Sequence, residues 1–247
     1  MAKARRSIVE PFLKSAIVKQ DGTGNAEFPF SIPALAQGVD LRFDKMVTFF
    51  VGENGSGKST LLEALAVKAG FPAQGGGRSQ IQRAADLEAP FVKSLKCGWG
   101  QKAQRGFFLR AEAYYNFATE VDALGVLEPY GGLKLHAQSH GESFMALFRN
   151  RFNGGPALYL LDEPKAALSP QRQLSFLVRL NEIVTRGEGQ FIIATHSPIL
   201  MAYPDSTILQ FSDTGIRPCH YRETEHFQIT SLFLRNPEQF LTRLFAE

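Results

Sequence analysis

The sequence predicts an α/β fold in which a mostly parallel central sheet is flanked by helices. Three observations carry that expectation. The runs ALYLLDEP and QFIIATHSP are continuous apolar stretches of strand length, the mark of strands buried on both faces. Between them, Pro170 to Val184 has helical periodicity on Leu174, Leu177, Val178 and Val184. Ahead of both, DKMVTFFVGENGSGKSTLLEALAVKAG reads as strand, Gly-rich turn and helix. Strands alternating with helices build parallel sheets through right-handed crossovers.

The elements follow in order. Two short strand-like segments, FLKSAIV and FPFSIPAL, suggest an antiparallel region at the N-terminus. The strand Val47 to Val51 comes next, and the helix after its turn carries Leu61, Leu62, Leu65 and Ala66 on one side. Residues of about 71–95 are Gly-rich and mixed in charge, as for a surface loop or insert. RGFFLRAEAYY reads as a further strand. After QFIIATH, Ser197 is placed as an N-cap with Pro198 as the first helical residue. A strand pair, STILQFS and GIRPCHY, and a helical segment, PEQFLTRLF, close the chain.

At 247 residues, 44% of them apolar and 21% charged, the chain suits one domain spanning 1–247. A net charge of only +3 gives no strong polyanion footprint. Cys97 and Cys219 have no metal-ligand spacing, which fits a reducing compartment better than a disulfide scaffold. No apolar run approaches the roughly 20 residues that cross a bilayer. MAKARRSIVEPFLK lacks the apolar core of a signal peptide. The expectation is a cytoplasmic protein with no integral membrane segment of its own.

GENGSGKS, Gly52 to Ser59, matches the phosphate-binding pattern G-x-x-x-x-G-K-[ST] in full, with a strand before it and a helix after it. The backbone of Gly52, Asn54, Gly55, Ser56 and Gly57 would curl around phosphates. Lys58 would reach the β- and γ-phosphates, Ser59 would offer its hydroxyl to Mg²⁺, and Thr60 sits behind it in the first turn. The strand LYLLDEP delivers Asp162 to the carboxyl edge of the sheet, where that loop also lies. Asp162 is the second candidate Mg²⁺ ligand, and Glu163 the group that orients or deprotonates an attacking water. A strand that ends in two acids is often only a solvated edge; the phosphate loop ahead of it makes the pair informative. His196 follows a buried strand to the same edge, placed to contact a γ-phosphate or the attacking water.

The order of phosphate loop, SHGES, LYLLDEP, ALSP and ATHSP resembles that of ABC-type ATPases, most of all the soluble SMC-like and AAA-family ATPases. The resemblance runs from about Phe28 to about Gln210. Its first and third motifs are specific, and the second is degenerate. It implies the P-loop NTPase fold of the ABC type, with ATP and Mg²⁺ as cofactors. SHGES stands at the signature motif, where Ser139 and Gly141 would bind the γ-phosphate held by a second protomer, at the start of a helix anchored on Phe144, Leu147, Phe148 and Phe152. Gln138 and His140 depart from the family pattern there. KAALSP stands at the D-loop, with Ser169 in place of the usual aspartate. The glutamine of the Q-loop has no clear equivalent among Gln101, Gln104 and Glu112.

The resemblance further implies a head-to-tail homodimer formed on ATP binding, which switches an effector protein or a DNA-linked process. The alternative is the nucleotide-binding subunit of an ABC transporter. WGQKAQR, with Trp99 near Lys102 and Arg105, reads as a hairpin turn with a solvated face rather than a stacking site for bases.

Overall fold

The apolar runs can satisfy their backbone groups only by pairing with one another, and a sheet of seven strands results among the described residues. The structure, a computed structural model, describes residues 10–19, 27–78, 86–87, 89–101, 103–111, 114–125, 127–128, 132–152 and 155–246. In that sheet the spatial order is β10 (Gly215–Cys219), β9 (Thr207–Ser212), β3 (Val47–Val51), β8 (Gly189–Ala194), β7 (Ala157–Asp162), β6 (Arg105–Arg110) and β4 (Gly76–Gly77). The five central strands pair in parallel; β10 and β4 are antiparallel edges. A second, antiparallel sheet has the order β2 (Val39–Arg42), β1 (Leu13–Val18) and β5 (Leu95–Trp99).

Helices cover both faces of the large sheet. Alternate residues of β3 show the division: Phe50 joins one core, while Val47, Phe49 and Val51 join the other. The first core packs α2 (Lys58–Ala69), through Leu61, Leu62 and Leu65, against the small sheet. The second packs α5 (His140–Arg151) and α6 (Pro170–Thr185) through Phe144, Phe148, Phe152 and Phe176. Buried Gln190 ties the two sheets together: its Oε1 accepts from the Leu13 N–H at 2.8 Å, and its Nε2 donates to the Leu13 carbonyl at 2.9 Å.

Several local expectations need correction. FPFSIPAL is not a strand. Residues 28–31 form turns and α1 (Pro33–Ala36) follows, because Pro29 and Pro33 remove ladder donors and Pro33 suits a first helical position. The apolar face assigned to α6 needs correction at two of its four residues, since Leu177 and Val184 pack partly buried against the core as expected. Leu174 and Val178 are 50% and 62% exposed, while Phe176, Leu180 and Ile183 are buried with Gln173. Apolar residues nearly encircle this helix, so periodicity offers two faces. The ring of Phe176, 4.4 Å from that of Phe148, selects the second, where each buried side chain contributes about 1.5–3 kcal/mol.

Within 71–95 the described residues are not all loop. β4 pairs with β6, Phe71 is buried, and α3 (Pro90–Ser94) buries Phe91 and Val92 before β5 begins. Residues 79–85 and 88 lie outside the described residues. RGFFLRAEAYY is a strand only to Arg110, since α4 (Tyr114–Leu124) begins at its first tyrosine. WGQKAQR is no hairpin either, because β5 and β6 belong to different sheets; Lys102 lies outside the described residues. The C-terminal expectations hold: β9 pairs with β10, and Ser197 caps α7 (Pro198–Met201) by accepting from the Leu200 N–H at 3.3 Å. Beyond β10, α8 (Glu225–Arg235) was not expected, and α9 (Pro237–Leu244) was.

Candidate functional site

β3, β8 and β7 are adjacent and parallel, so their carboxyl ends bring three sequence motifs to one edge. β3 opens into the loop 52–57, β7 ends at Asp162 with Glu163 next, and β8 leads through Thr195 to His196. An open cleft of about 850 Å³ lies there, lined by Glu53, Asn54, Glu163, Lys165, His196 and His226 among others. A smaller cleft of about 360 Å³ continues past Asn54 and Ser56 to Phe211 and Glu225.

The loop requires glycine where it leaves β3. Gly52 has φ +142°, and a Cβ there would stand 2.5 Å from the Phe211 carbonyl oxygen. Gly57 is the left-handed N-cap of α2 and supplies no side-chain acceptor to that helix's first N–H groups, which an oxyanion can then take. Lys58 is buried and turned into its own loop, where Nζ donates to Gly52 O at 2.8 Å, Glu53 O at 2.6 Å and Ser56 Oγ at 3.4 Å. Burial pushes its pKa down, against the pull of the Glu163 and Asp162 carboxylates. Asn54 and Gly55 are exposed at the loop tip, and Ser59 and Thr60 are half-buried at the start of α2.

Ser59 Oγ donates to Asp162 Oδ1 at 3.0 Å, which joins the two candidate Mg²⁺ ligands directly. No group of three His, Cys, Asp or Glu side chains able to hold a metal exists among the described residues. One hydroxyl and one carboxylate fit a Mg²⁺ that takes its remaining oxygens from phosphates and water. Behind Asp162, Arg110 Nε stands 3.9 Å from Oδ2, and Arg110 Nη1 bonds Glu63 Oε2 at 2.6 Å. Sequence reading missed this pair. Its only signal is that Arg110 ends the strand registered opposite Asp162.

Glu163 adopts a left-handed backbone (φ 50°, ψ 51°), rare for a residue with a Cβ, and is held there by its N–H donating to the Ala194 carbonyl at 2.9 Å. Both its carboxylate oxygens are shielded from solvent and make no hydrogen bond. His196 Nε2 lies 3.1 Å from Oε1, close but off the line of a hydrogen bond. Burial pushes the Glu163 pKa up, with the Lys165 ammonium opposing it.

His196 is pushed from 6.5 down to about 4, first by burial and then by Lys58 and His226. Its Nδ1 stands 2.6 Å from Nε2 of His226, a residue of α8 that sequence reading did not single out. The unfolded chain takes up a proton below pH 6.5 that the folded chain refuses until about pH 4, so stability is lost as pH falls through that window. The melting temperature is therefore expected to fall on acidification across this range, and His196→Gln to flatten the fall. An equally steep fall in the variant would remove His196 as its source.

Ser139 and Gly141 do not line this cleft. Ser139 caps α5, and the Glu142 carboxylate accepts both its N–H (3.0 Å) and its hydroxyl (2.6 Å). Arg172 lies 3.3 Å from both Glu142 Oε1 and Ser139 Oγ. Gly141 is needed here for close approach, since a Cβ would meet the Ala167 carbonyl oxygen at 2.8 Å. Phe144, Leu147, Phe148 and Phe152 anchor the helix as expected. Glu112 and the side chain of His140 lie outside what the structure describes.

Residues 30–91 match a family model described as an AAA domain. Residues 144–202 match a second AAA-domain model, whose description also names the AbiEii toxin of type IV toxin–antitoxin systems. The first span contains the phosphate loop, and the second contains Asp162, Glu163 and His196. Among solved structures, the chain is similar to one described as a metal-chelate type ABC transporter in an inward-facing conformation. That match has 17% identity over 90% of this chain and 89% of the other, with a TM-score of 0.51. It is also similar to cbiO1 from Clostridium perfringens, part of the ABC transporter complex cbiONQ, at 18% identity over 96% and 100% of the two chains and a TM-score of 0.51. No curated protein matches the sequence. At these identities the solved structures establish the fold, and the two AAA-domain segments agree with it. Two segments of the chain thus match AAA-domain models, and the fold as a whole is similar to that of these solved structures.

Proposed function

We propose that this chain, as one cytoplasmic ATPase domain over 1–247, hydrolyses ATP to ADP and phosphate in a head-to-tail homodimer. The observation that carries the reading is the convergence of Lys58, Ser59, Asp162, Glu163 and His196 at one edge of the sheet from three adjacent strands, where Ser59 meets Asp162 and where Glu163 and His196 line the cleft. Ser59 and Asp162 would hold Mg²⁺, which would supply charge neutralisation of the phosphates. The loop backbone at Gly52, Asn54, Gly55, Ser56, Gly57 and Thr60 cradles them, and Lys58 leaves its loop carbonyls to bind the β- and γ-oxygens. Glu163 accepts a proton from the attacking water, a task suited to a carboxylate whose pKa burial has raised. His196, neutral at physiological pH, offers a hydrogen bond to the γ-phosphate.

Ser139 and Gly141, absent from the cleft of their own chain, serve the cleft of the second protomer. ATP-driven closure and hydrolysis-driven opening then switch an effector protein or a DNA-linked process, as in SMC-like ATPases. The transporter-subunit reading draws support from the structural neighbours, which belong to ABC transporters. Gln138, His140 and the lack of a clear Q-loop glutamine weigh against it. No helix among the described residues is long and apolar enough to cross a membrane. Stable co-purification with a membrane-spanning protein would select the transporter reading.

The dimer is tested by mixing two dead variants. Lys58→Ala and Ser139→Arg homodimers should both fail to release phosphate. In a mixed dimer both lesions fall in one composite site and leave the other whole. Equal mixtures should recover up to about a quarter of wild-type activity, since about half the dimers are mixed and each has one good site. No recovery, while mixed dimers of wild type and Ser139→Arg keep about half their activity, would place Ser139 in cis and overturn the composite site.

A further inference from the structure

We infer that His226 is a positioning residue: it fixes the tautomer of His196 so that His196 presents a hydrogen-bond donor to the reacting phosphate. The inference rests on the ATPase reading for its role in turnover, but not for its chemistry. Only one proton can lie between two ring nitrogens 2.6 Å apart. Burial depresses both pKa values, so both rings are neutral at physiological pH, and each neutral ring has one donor nitrogen and one acceptor nitrogen.

The other side of His196 shows which ring donates, and the hydrogen bond to His226 holds that arrangement, since Glu163 lies off the hydrogen-bond line and cannot hold it alone. Its Nε2 stands 3.1 Å from Glu163 Oε1, an oxygen with no hydrogen-bond partner. A bare Nε2 there would set its lone pair against the lone pairs of that oxygen. A protonated Nε2 is attracted to it. With the proton on Nε2, the Nδ1 of His196 must accept, so His226 Nε2–H is the donor. The same Nε2–H then serves a phosphate oxygen in the cleft. With the wrong tautomer a lone pair would face that oxygen, the kind of fault that a misoriented catalytic imidazole suffers.

The backbone is built to hold His226 in place. It is the second residue of α8, whose N-cap Thr224 is fully buried, donates its hydroxyl to the Tyr221 carbonyl at 2.7 Å and accepts from the Phe227 N–H at 3.4 Å. The Tyr221 and Phe227 rings pack with centroids 4.7 Å apart. No residue of α8 itself is buried, so its fixed point is this first turn, and that turn aims an imidazole into the cleft.

The test uses the full chain labelled with ¹⁵N-histidine, without nucleotide, at about pH 7.5, where the ring-nitrogen spectra report the tautomer directly. Wild-type His196 is expected to carry its proton on Nε2. His226→Gln, whose amide keeps a donor, should preserve that tautomer, and His226→Leu should yield a mixture. In phosphate-release assays His226→Leu is expected to lower kcat about 10-fold or more with little change in KM, and His226→Gln to recover most of the loss. Calorimetric ATP affinity should be unchanged in both variants. A wild-type His196 protonated on Nδ1 overturns the inference, as does an unaltered kcat in His226→Leu. A His226→Gln variant as impaired as His226→Leu, at equal melting temperature, also overturns it, because packing alone would then account for the loss. The spectra need no turnover, so they can fail or succeed separately from the ATPase reading.

Discussion

Glu163→Gln is expected to bind ATP with nearly wild-type affinity and to release phosphate about 10²-fold more slowly, or slower still. Glutamine keeps the shape of the side chain and removes its only proton acceptor. The left-handed backbone at this position is set by the bond from its N–H to the Ala194 carbonyl, which the substitution leaves intact. No hydrogen bond of the carboxylate is lost, because neither oxygen makes one. The slow step should trap an ATP-bound dimer, visible as a shift to earlier elution in size-exclusion chromatography with ATP and Mg²⁺. Turnover near the wild-type rate would remove Glu163 from the catalytic role.

Lys58→Ala acts one step earlier, on binding. Two charge-assisted hydrogen bonds to the β- and γ-phosphates are each worth about 1.5–3 kcal/mol, so their joint loss should weaken ATP binding by roughly 10²- to 10⁴-fold. The Gly52 and Glu53 carbonyls that Nζ now satisfies also lose their partner, so the loop itself should loosen. Isothermal titration with Mg²⁺ present is the measurement, and unchanged affinity would sink the phosphate-loop assignment. The two variants separate cleanly: one binds and stalls, the other does not bind.

Much of this site was readable because each of its main parts is local. Gly52 to Ser59 carries its own turn and helix start, and Asp162, Glu163 and His196 each follow an apolar strand whose carboxyl end is fixed by the α/β pattern. What escaped came from distance in the chain. Arg110 reaches Asp162 only because β6 registers beside β7, and Glu63 only because α2 crosses that edge. His226 meets His196 through a C-terminal helix whose docking no periodicity announces. The errors within elements were also physical. Pro29 and Pro33 outweighed an apolar run at the N-terminus, and α6 had two apolar faces of which the aromatic one was buried.

The place of β3 in the sheet bears on how the protein is made. Its two neighbours, β8 and β9, begin at residues 189 and 207, so Phe49 must find Ile193 and Ile208 across more than half the chain. At ribosomal rates of about 5–20 residues per second, VTFFV and its phosphate loop wait on the order of ten seconds for those partners to be synthesised. Over that interval a strand with four apolar residues of five lies unpaired, which favours engagement by a chaperone or by a neighbouring nascent chain. The candidate cleft thus matures only after β8 and β9 are made, and under the proposed function ATP can stabilise the finished domain but not the growing one.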